Sequence, residues 1–130
     1  MEMEAKRGEG TRNVGRRRPH SPAWNSLDEE TRMAIRAYSY SKRHGDPRMR
    51  ACYAYVIATR ISTLVLLPES CEVDVLIAAW LRARADRFEA RGRRASRARM
   101  NETTHVARVA AIAVADLIVL RFEEDIAEWN

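Results

Sequence analysis

The chain has 130 residues, of which 46% are hydrophobic and 7% aromatic, and a formal net charge of +5. This length favours one domain with its own core, and abundant alanine favours closely packed helices. Arg60 and Asp116 interrupt the most apolar runs, which fall short of a membrane span of about 20 residues, so we expect no membrane role. Two cysteines without a CxxC pair, and an amino end without an apolar signal segment, predict an intracellular protein with free, mostly buried thiols.

Residues 1–25 mix glycine, proline and charge and contain almost nothing to bury. This composition predicts a disordered basic arm, followed by a helical domain over residues 26–130. Arg16, Arg17 and Arg18 form a triplet typical of phosphate-binding or nuclear-import patches, and equally of solvated tails. Trp24 is the exception in this segment, and we expect it to hold the end of the arm against the domain.

The first two helices are predicted from the residues at their amino ends. Ser26 and Glu29 have the spacing of a capping box, which predicts a first helix from Leu27 to His44. Asp46 then precedes a proline, a pairing that favours a second helix with Asp46 as its amino-terminal cap. Apolar residues at spacings of three and four continue this helix from Pro47 to about Leu67.

A third helix is predicted to open at Ser70 and end at Gly92. Its expected apolar face consists of Val73, Leu76, Ile77, Trp80 and Phe88. A fourth helix, from Asn101 or Thr103 to Trp129, is apolar nearly all round, which is typical of a bundle centre or a subunit interface. We therefore predict an all-α protein with a four-helix bundle-like domain that forms a homo-oligomer.

The titratable residues show no pattern typical of an active site. The three histidines lack HExxH or Cys/His ligand spacing, so no metal, cofactor or catalytic residue is predicted. Asp116 is a candidate buried carboxylate, which would need a partner such as Arg60 or Arg108 or would stay protonated. A role in fixing helix register or dimer geometry is favoured over proton chemistry. A small helical enzyme that uses Asp116, His105 or a tyrosine is the third functional alternative.

Two tyrosine pairs, Tyr38 with Tyr40 and Tyr53 with Tyr55, have a spacing of two. On a helix such residues point in different directions, so one of each pair should pack while the other lies near the rim. A rim tyrosine beside an arginine could stack a nucleobase, although an amphipathic residue at a bundle edge is the more ordinary role.

The strongest charge feature is "RARADRFEARGRRASRARM", residues 82–100, with eight arginines against Asp86 and Glu89. We expect a helix as far as Gly92 with Phe88 pointing to the core, then an exposed basic loop or a helical extension that forms on binding. Such arginines can contact phosphates without reading bases. The predicted nucleic-acid-binding residues are Arg84, Arg87, Arg91, Arg93, Arg94, Arg97 and Arg99, with Arg16, Arg17 and Arg18 of the arm.

The leading hypothesis is a small non-enzymatic accessory protein, viral or phage in type, that binds nucleic acid without sequence specificity. A G+C-rich coding frame explains the arginine and alanine excess equally well. The alternative function is a helical adaptor that oligomerises and binds a protein partner through its acidic C-terminal helix. The acidic residues are expected at the carboxyl end of the fourth helix, where the helix dipole disfavours them: Glu123, Glu124, Asp125 and Glu128.

Overall fold

The computed structural model describes residues 19–62 and 71–127, without the side chains of residues 71 and 72. The described helices are α1 (Pro22–Ser26), α2 (Glu29–Arg43), α3 (Pro47–Ser62), α4 (Cys71–Gly92), α5 (Arg97–Arg121) and α6 (Glu123–Ala127). Within the described ranges there is no strand, so the all-α prediction is confirmed for them. Most of the expected arm with its arginine triplet, and the predicted junction of the second and third helices, lie outside the described residues.

One hydrophobic core joins the four long helices in a bundle-like arrangement. Ile35 of α2, Ile57 of α3 and Ile118 of α5 are each fully buried in it. α4 packs along α5 and only lightly on α3, where the rings of Trp80 and Tyr55 meet edge to face at 5.2 Å. Alanines occupy many of the buried positions on α3, α4 and α5, so the helices approach closely, as the composition predicts.

The segment around α1 belongs to the ordered domain. Trp24 is 1% exposed and meets the ring of Phe122 edge to face at 5.4 Å, which confirms the expectation that this tryptophan packs on the domain. Asp125 of α6 accepts hydrogen bonds from the Ser21 amide at 2.8 Å and the Ser21 hydroxyl at 2.9 Å, and His20 Nδ1 lies 3.1 Å from it. Residues 19–25, assigned to the arm by composition, are therefore tied to the carboxyl end of the domain.

The sequence predicts the cap of α3 correctly and the cap of α2 incorrectly. The capping box is wrong, because Ser26 lies in α1 and donates to the Pro22 carbonyl at 2.9 Å. Asp28 is the cap residue of α2, and its carboxylate accepts from the Thr31 hydroxyl and from Arg60. The predicted cap of α3 is confirmed, since the Asp46 carboxylate accepts from the Met49 amide at 3.1 Å.

The sequence predicts a helix from Asn101 or Thr103 to Trp129. The observed helix α5 begins earlier than this and ends earlier as well. It begins at Arg97, and the chain leaves α5 at Phe122, whose side chain is 1% exposed. Three of the acidic residues therefore lie in the first turn of α6, namely Glu123, Glu124 and Asp125. The helix dipole favours negative charge there, so the expected unfavourable placement is wrong.

α5 combines length with an apolar surface. Of the described helices, it alone is long and apolar enough to cross a membrane, with a mean hydropathy of 1.7 over its best window. The core helix of a soluble protein passes the same test. Only a third of that window is buried within the domain, so α5 also carries an exposed apolar face.

Candidate nucleic-acid interface

The predicted arginines lie on a helical hairpin. We call residues 82–99 the basic hairpin: the second half of α4, a short turn and the first turn of α5. The turn closes α4 with two hydrogen bonds, from the Ala95 amide to the Ala90 carbonyl at 2.9 Å and from the Arg94 amide to the Arg91 carbonyl at 3.2 Å. This is a Schellman motif, whose left-handed position is usually glycine. Here Arg94 holds that position, with φ 52°, whereas Gly45 holds it after α2.

Replacing Arg94 by glycine is expected to stabilise the domain by about 0.5–1 kcal/mol, because glycine adopts the left-handed conformation without steric strain. The measurement is the urea midpoint of unfolding at constant slope. Arg94→Ala is the matched control, since it removes the same charge but keeps the strain. Equal midpoints for the glycine and alanine variants would contradict the assignment of strain to residue 94.

Most of the predicted arginines are accessible. Those with exposed side chains are Arg84, Arg91, Arg93, Arg94, Arg97 and Arg99, together with Arg82, which the prediction did not include. Arg87 is half-buried, and its Nε donates to the Thr104 hydroxyl at 3.3 Å, so it serves the packing of α4 on α5. The expected basic loop is shorter than predicted, because Arg97 and Arg99 already belong to α5 and the Ser96 hydroxyl accepts from the Arg99 amide at 3.2 Å.

The charges of α4 divide between two faces. By helical spacing, Arg82, Asp86, Glu89 and Arg93 share one face, and Glu89 pairs with Arg93 at 2.8 Å. Arg84 and Arg91 lie on a different face, together with Phe88. Asp86 and Glu89, the acidic residues of this half of α4, therefore lie on the first face and leave the second one basic.

Phe88 is 53% exposed, so the expectation that it points to the core is wrong. The positions of this half of α4 that contact α5 are taken by Ala83, Arg87 and Ala90, and Phe88 lies about a quarter-turn or more away from them at 100° per residue. The guanidinium carbons of Arg84 and Arg91 each lie 5.8 Å from the centre of the Phe88 ring. An exposed ring flanked by two cations is the centre of the basic face.

A second polar cluster joins α2, α3 and α5 at Asp116. Its carboxylate accepts from the Tyr38 hydroxyl at 2.6 Å, from Lys42 at 3.1 Å and from Arg50 at 3.3 Å. Arg50 Nε also donates to the Tyr38 oxygen at 3.0 Å. The Asp116 side chain is 36% exposed, so the expectation of a buried carboxylate is wrong. The expected partner Arg60 instead pairs with Asp28 and Glu30, while Arg108 is exposed.

The cluster alters the protonation of its members. Burial, followed by the hydrogen bond to Asp116, raises the pKa of Tyr38 to about 12. Burial also raises the pKa of Asp116, but hydrogen bonds from Tyr38 and Lys42 and the positive charges of Lys42 and Arg50 outweigh it, so this pKa lies below its ordinary value. A carboxylate that stays ionised and a phenol that stays protonated hold three helices together and are poorly suited to proton transfer near neutral pH.

The remaining candidates are dispersed. His105 is exposed, and Cys52 is exposed as well, which corrects the expectation of buried thiols for that residue. Among the described residues, no group of three or more His, Cys, Asp or Glu side chains could hold a metal ion. Tyr38 is buried while Tyr40 is 58% exposed, which confirms the prediction for that pair.

The second tyrosine pair does not divide in this way. Tyr53 and Tyr55 are both half-buried and both pack against the core. The rim tyrosine of the first pair, Tyr40, lies over the ring of His44, with 4.0 Å between the ring centres. Among the described residues, Phe88 is an exposed aromatic ring with two arginine guanidinium groups 5.8 Å from its centre, although the sequence pattern assigned it to the core.

Comparison with protein families, curated proteins and solved structures found no match to this chain.

Proposed function

We propose that the chain is a small non-enzymatic accessory protein that binds nucleic acid through the basic hairpin, without sequence specificity. The observation that supports this proposal best is the basic face of α4, where Arg84 and Arg91 flank the exposed ring of Phe88, while Asp86 and Glu89 lie on the other face of this half of the helix. Arg94 and Arg97 continue the positive charge across the turn into α5.

The chemistry of arginine fits this role. Its planar guanidinium forms paired hydrogen bonds to phosphate oxygens, and each neutralised phosphate releases counterions, which makes binding strongly dependent on salt. The exposed first turn of α5 adds backbone amides and the positive end of the helix dipole close to Arg97 and Arg99. These groups contact backbone phosphates and have no means of distinguishing bases.

Phe88 favours a single strand over a duplex. A base can stack on an exposed aromatic ring only when it is not held between its neighbours in a double helix, and one such contact contributes about 1–3 kcal/mol. The two flanking guanidinium groups lie close enough to bind the phosphates on either side of a stacked base. We therefore expect single-stranded RNA or DNA to bind more tightly than a duplex of the same charge.

The test is a salt series with labelled single strands and duplexes. The variant Arg84→Gln/Arg91→Gln/Arg94→Gln removes three charges from the basic hairpin, and the matched control Arg43→Gln/Arg48→Gln/Arg108→Gln removes three exposed charges elsewhere. For single strands, we expect the hairpin variant to lower the slope of log affinity against log salt by about 2, at about 0.7 per phosphate contact. The control should change it by much less. Equal slopes for the two variants, or no wild-type binding at low salt, would overturn the proposal.

Phe88→Leu separates stacking from charge. This variant keeps the charge and most of the apolar volume but removes the aromatic ring. We expect the affinity for single strands to fall about fivefold to tenfold and the affinity for duplexes to stay unchanged, as a lost stacking contact requires. An equal loss for both kinds of nucleic acid would show that Phe88 supports the hairpin and does not stack a base.

The alternative function, a protein adaptor that binds through its acidic residues, has less support from the described residues than nucleic-acid binding has. Asp125 is 7% exposed and holds Ser21, so it is not accessible to a partner. Glu123 and Glu124 are exposed, while Glu128 lies outside the described residues. The surface that favours a protein contact is the apolar face of α5.

A further inference from the structure

α5 presents one apolar stripe inward and a second one outward. The inward residues include Ala111, Val114, Ala115 and Ile118, none more than 1% exposed. On the outward side, Val106, Val109 and Leu120 are 48%, 53% and 62% exposed. Ala113 and Leu117, both partly exposed, complete this outward stripe at spacings of three, four, four and three, and Leu117 also packs against the core. We call Val106, Val109, Ala113, Leu117 and Leu120 the outer stripe.

From the outer stripe we infer that two copies of this chain associate through α5, in antiparallel orientation about a two-fold axis at Ala113. The spacing of the stripe is symmetric about that residue, as a two-fold helix pair requires, since each surface must fit its own copy. Val106 then faces Leu120 of the second copy, Val109 faces Leu117, and the two Ala113 residues meet. A small side chain at the centre allows the helix axes to approach to about 8 Å.

The charges at the two ends of α5 favour the antiparallel orientation. Arg97 and Arg99 are exposed at its amino end, and Glu123 is exposed just beyond its carboxyl end. In the antiparallel pair, Arg99 of one copy lies near Glu123 of the other, with an offset of about 6 Å along the axis at about 1.5 Å per residue. An arginine side chain can span that offset. A parallel pair would instead bring like charges together at both ends.

Other charged residues beside the stripe agree with this arrangement. Glu102 pairs with Arg99 of its own chain at 3.0 Å, and in the antiparallel pair it also lies about one turn from Arg121 of the second copy. The outer stripe is smaller than the surface of about 800 Å² per partner that is typical of a stable complex. The association is therefore expected to be concentration-dependent, with a monomer at low concentration.

The test is sedimentation equilibrium of the full chain from about 5 to about 500 μM, a range that covers weak complexes. We expect the wild type to pass from monomer to dimer. Val109→Asp places a charge in the outer stripe and should weaken the dimer at least tenfold, while Met33→Asp changes a similarly exposed residue on α2 and should not. Circular dichroism melts show whether each variant is folded. A wild type that stays monomeric throughout, or a Val109→Asp variant that still dimerises normally, would overturn the inference.

Charge exchange tests the orientation. Arg99→Glu alone and Glu123→Arg alone should each weaken the dimer, and the double variant should restore it, because the exchanged charges meet again only between antiparallel copies. Failure of the double variant to restore the dimer would reject this orientation.

Co-sedimentation with anionic vesicles tests whether the outer stripe contacts a membrane instead of a second copy. A monomer that binds vesicles, and that loses this binding in Val109→Asp, would show that this face contacts a membrane.

Discussion

Replacing Trp24 by alanine is expected to lower the free energy of unfolding by about 3–5 kcal/mol, the range for large aromatic residues in well-packed cores. The indole ring is fully enclosed, with Phe122 against its edge and the Arg36 guanidinium 5.8 Å from its centre. Its loss would leave a cavity between α1, α2 and the junction of α5 with α6. The measurement is urea unfolding followed by circular dichroism.

Tyr40→Ala is the control for this experiment, because Tyr40 is also aromatic but 58% exposed. Its expected cost is below about 1 kcal/mol, as for most surface substitutions. If Trp24→Ala were as stable as Tyr40→Ala, the segment before α2 would not be part of the cooperative unit. A large effect would place the boundary of the folded domain before Ser21.

Raising the pH from 10 to 12 is expected to remove about 2–3 kcal/mol of stability through Tyr38, at about 1.4 kcal/mol per pKa unit. In the folded protein the pKa of Tyr38 is raised from 10.0 to about 12. Between these values the folded state keeps a proton that the unfolded state has lost. The contribution is therefore complete below pH 10 and is lost as the pH rises through 12.

The difference in unfolding free energy between wild type and Tyr38→Phe isolates this contribution, because other groups titrate in both proteins. The variant loses the hydrogen bonds to Asp116 and from Arg50, at a cost of about 1.5–3 kcal/mol near neutral pH, and should be the less sensitive of the two to alkaline pH. A second variant, Asp116→Asn, should lower the pKa of Tyr38 because it removes a negative charge from the phenol. A constant difference from pH 8 to pH 12 would contradict the raised pKa of Tyr38, and an unchanged pKa of Tyr38 in Asp116→Asn would contradict its coupling to Asp116.

The two proposals use largely different parts of the hairpin formed by α4 and α5 and share Arg99. The proposed nucleic-acid interface lies on α4, the turn and the first turn of α5, around Phe88. The proposed dimer contact lies on the outward face of α5, and in the antiparallel arrangement the two basic turns are at opposite ends of the dimer. A dimer would therefore bind one long strand at two separate places, and its apparent affinity should rise with strand length more steeply than that of Val109→Asp.

The helices themselves could be predicted from local sequence. Proline after Asp46 identifies the start of α3, and Gly45 identifies the end of α2, because these residues satisfy or close the helix ends by their own geometry. The capping box failed because Ser26 has another use: a short helix, α1, ends at this residue. That helix depends on Trp24, Phe122 and Asp125, which are far apart in the chain, so local rules cannot reveal it.

The exposure of Phe88 also could not be predicted from local sequence. Its spacing from Trp80 was compatible with one apolar face, but α4 packs mainly on α5 and only lightly on α3. With one main neighbour, the second half of α4 buries only a narrow strip, and alanines fill it. A helix with a single neighbour leaves large apolar side chains exposed, and the number of neighbours is decided by the packing of the whole domain.

By itself the sequence determined the all-α class of the described residues, the ends of α2 and α4 within two residues, the start of α3, and the concentration of arginine between residues 82 and 99, because these follow from composition and from contacts within a few residues. Only the tertiary structure decided which arginines are exposed, that Asp116 meets Tyr38, Lys42 and Arg50, and that Asp125 holds the segment before α1. Those outcomes join residues about 65 to 105 positions apart, so they depend on how the helices pack and not on any local pattern.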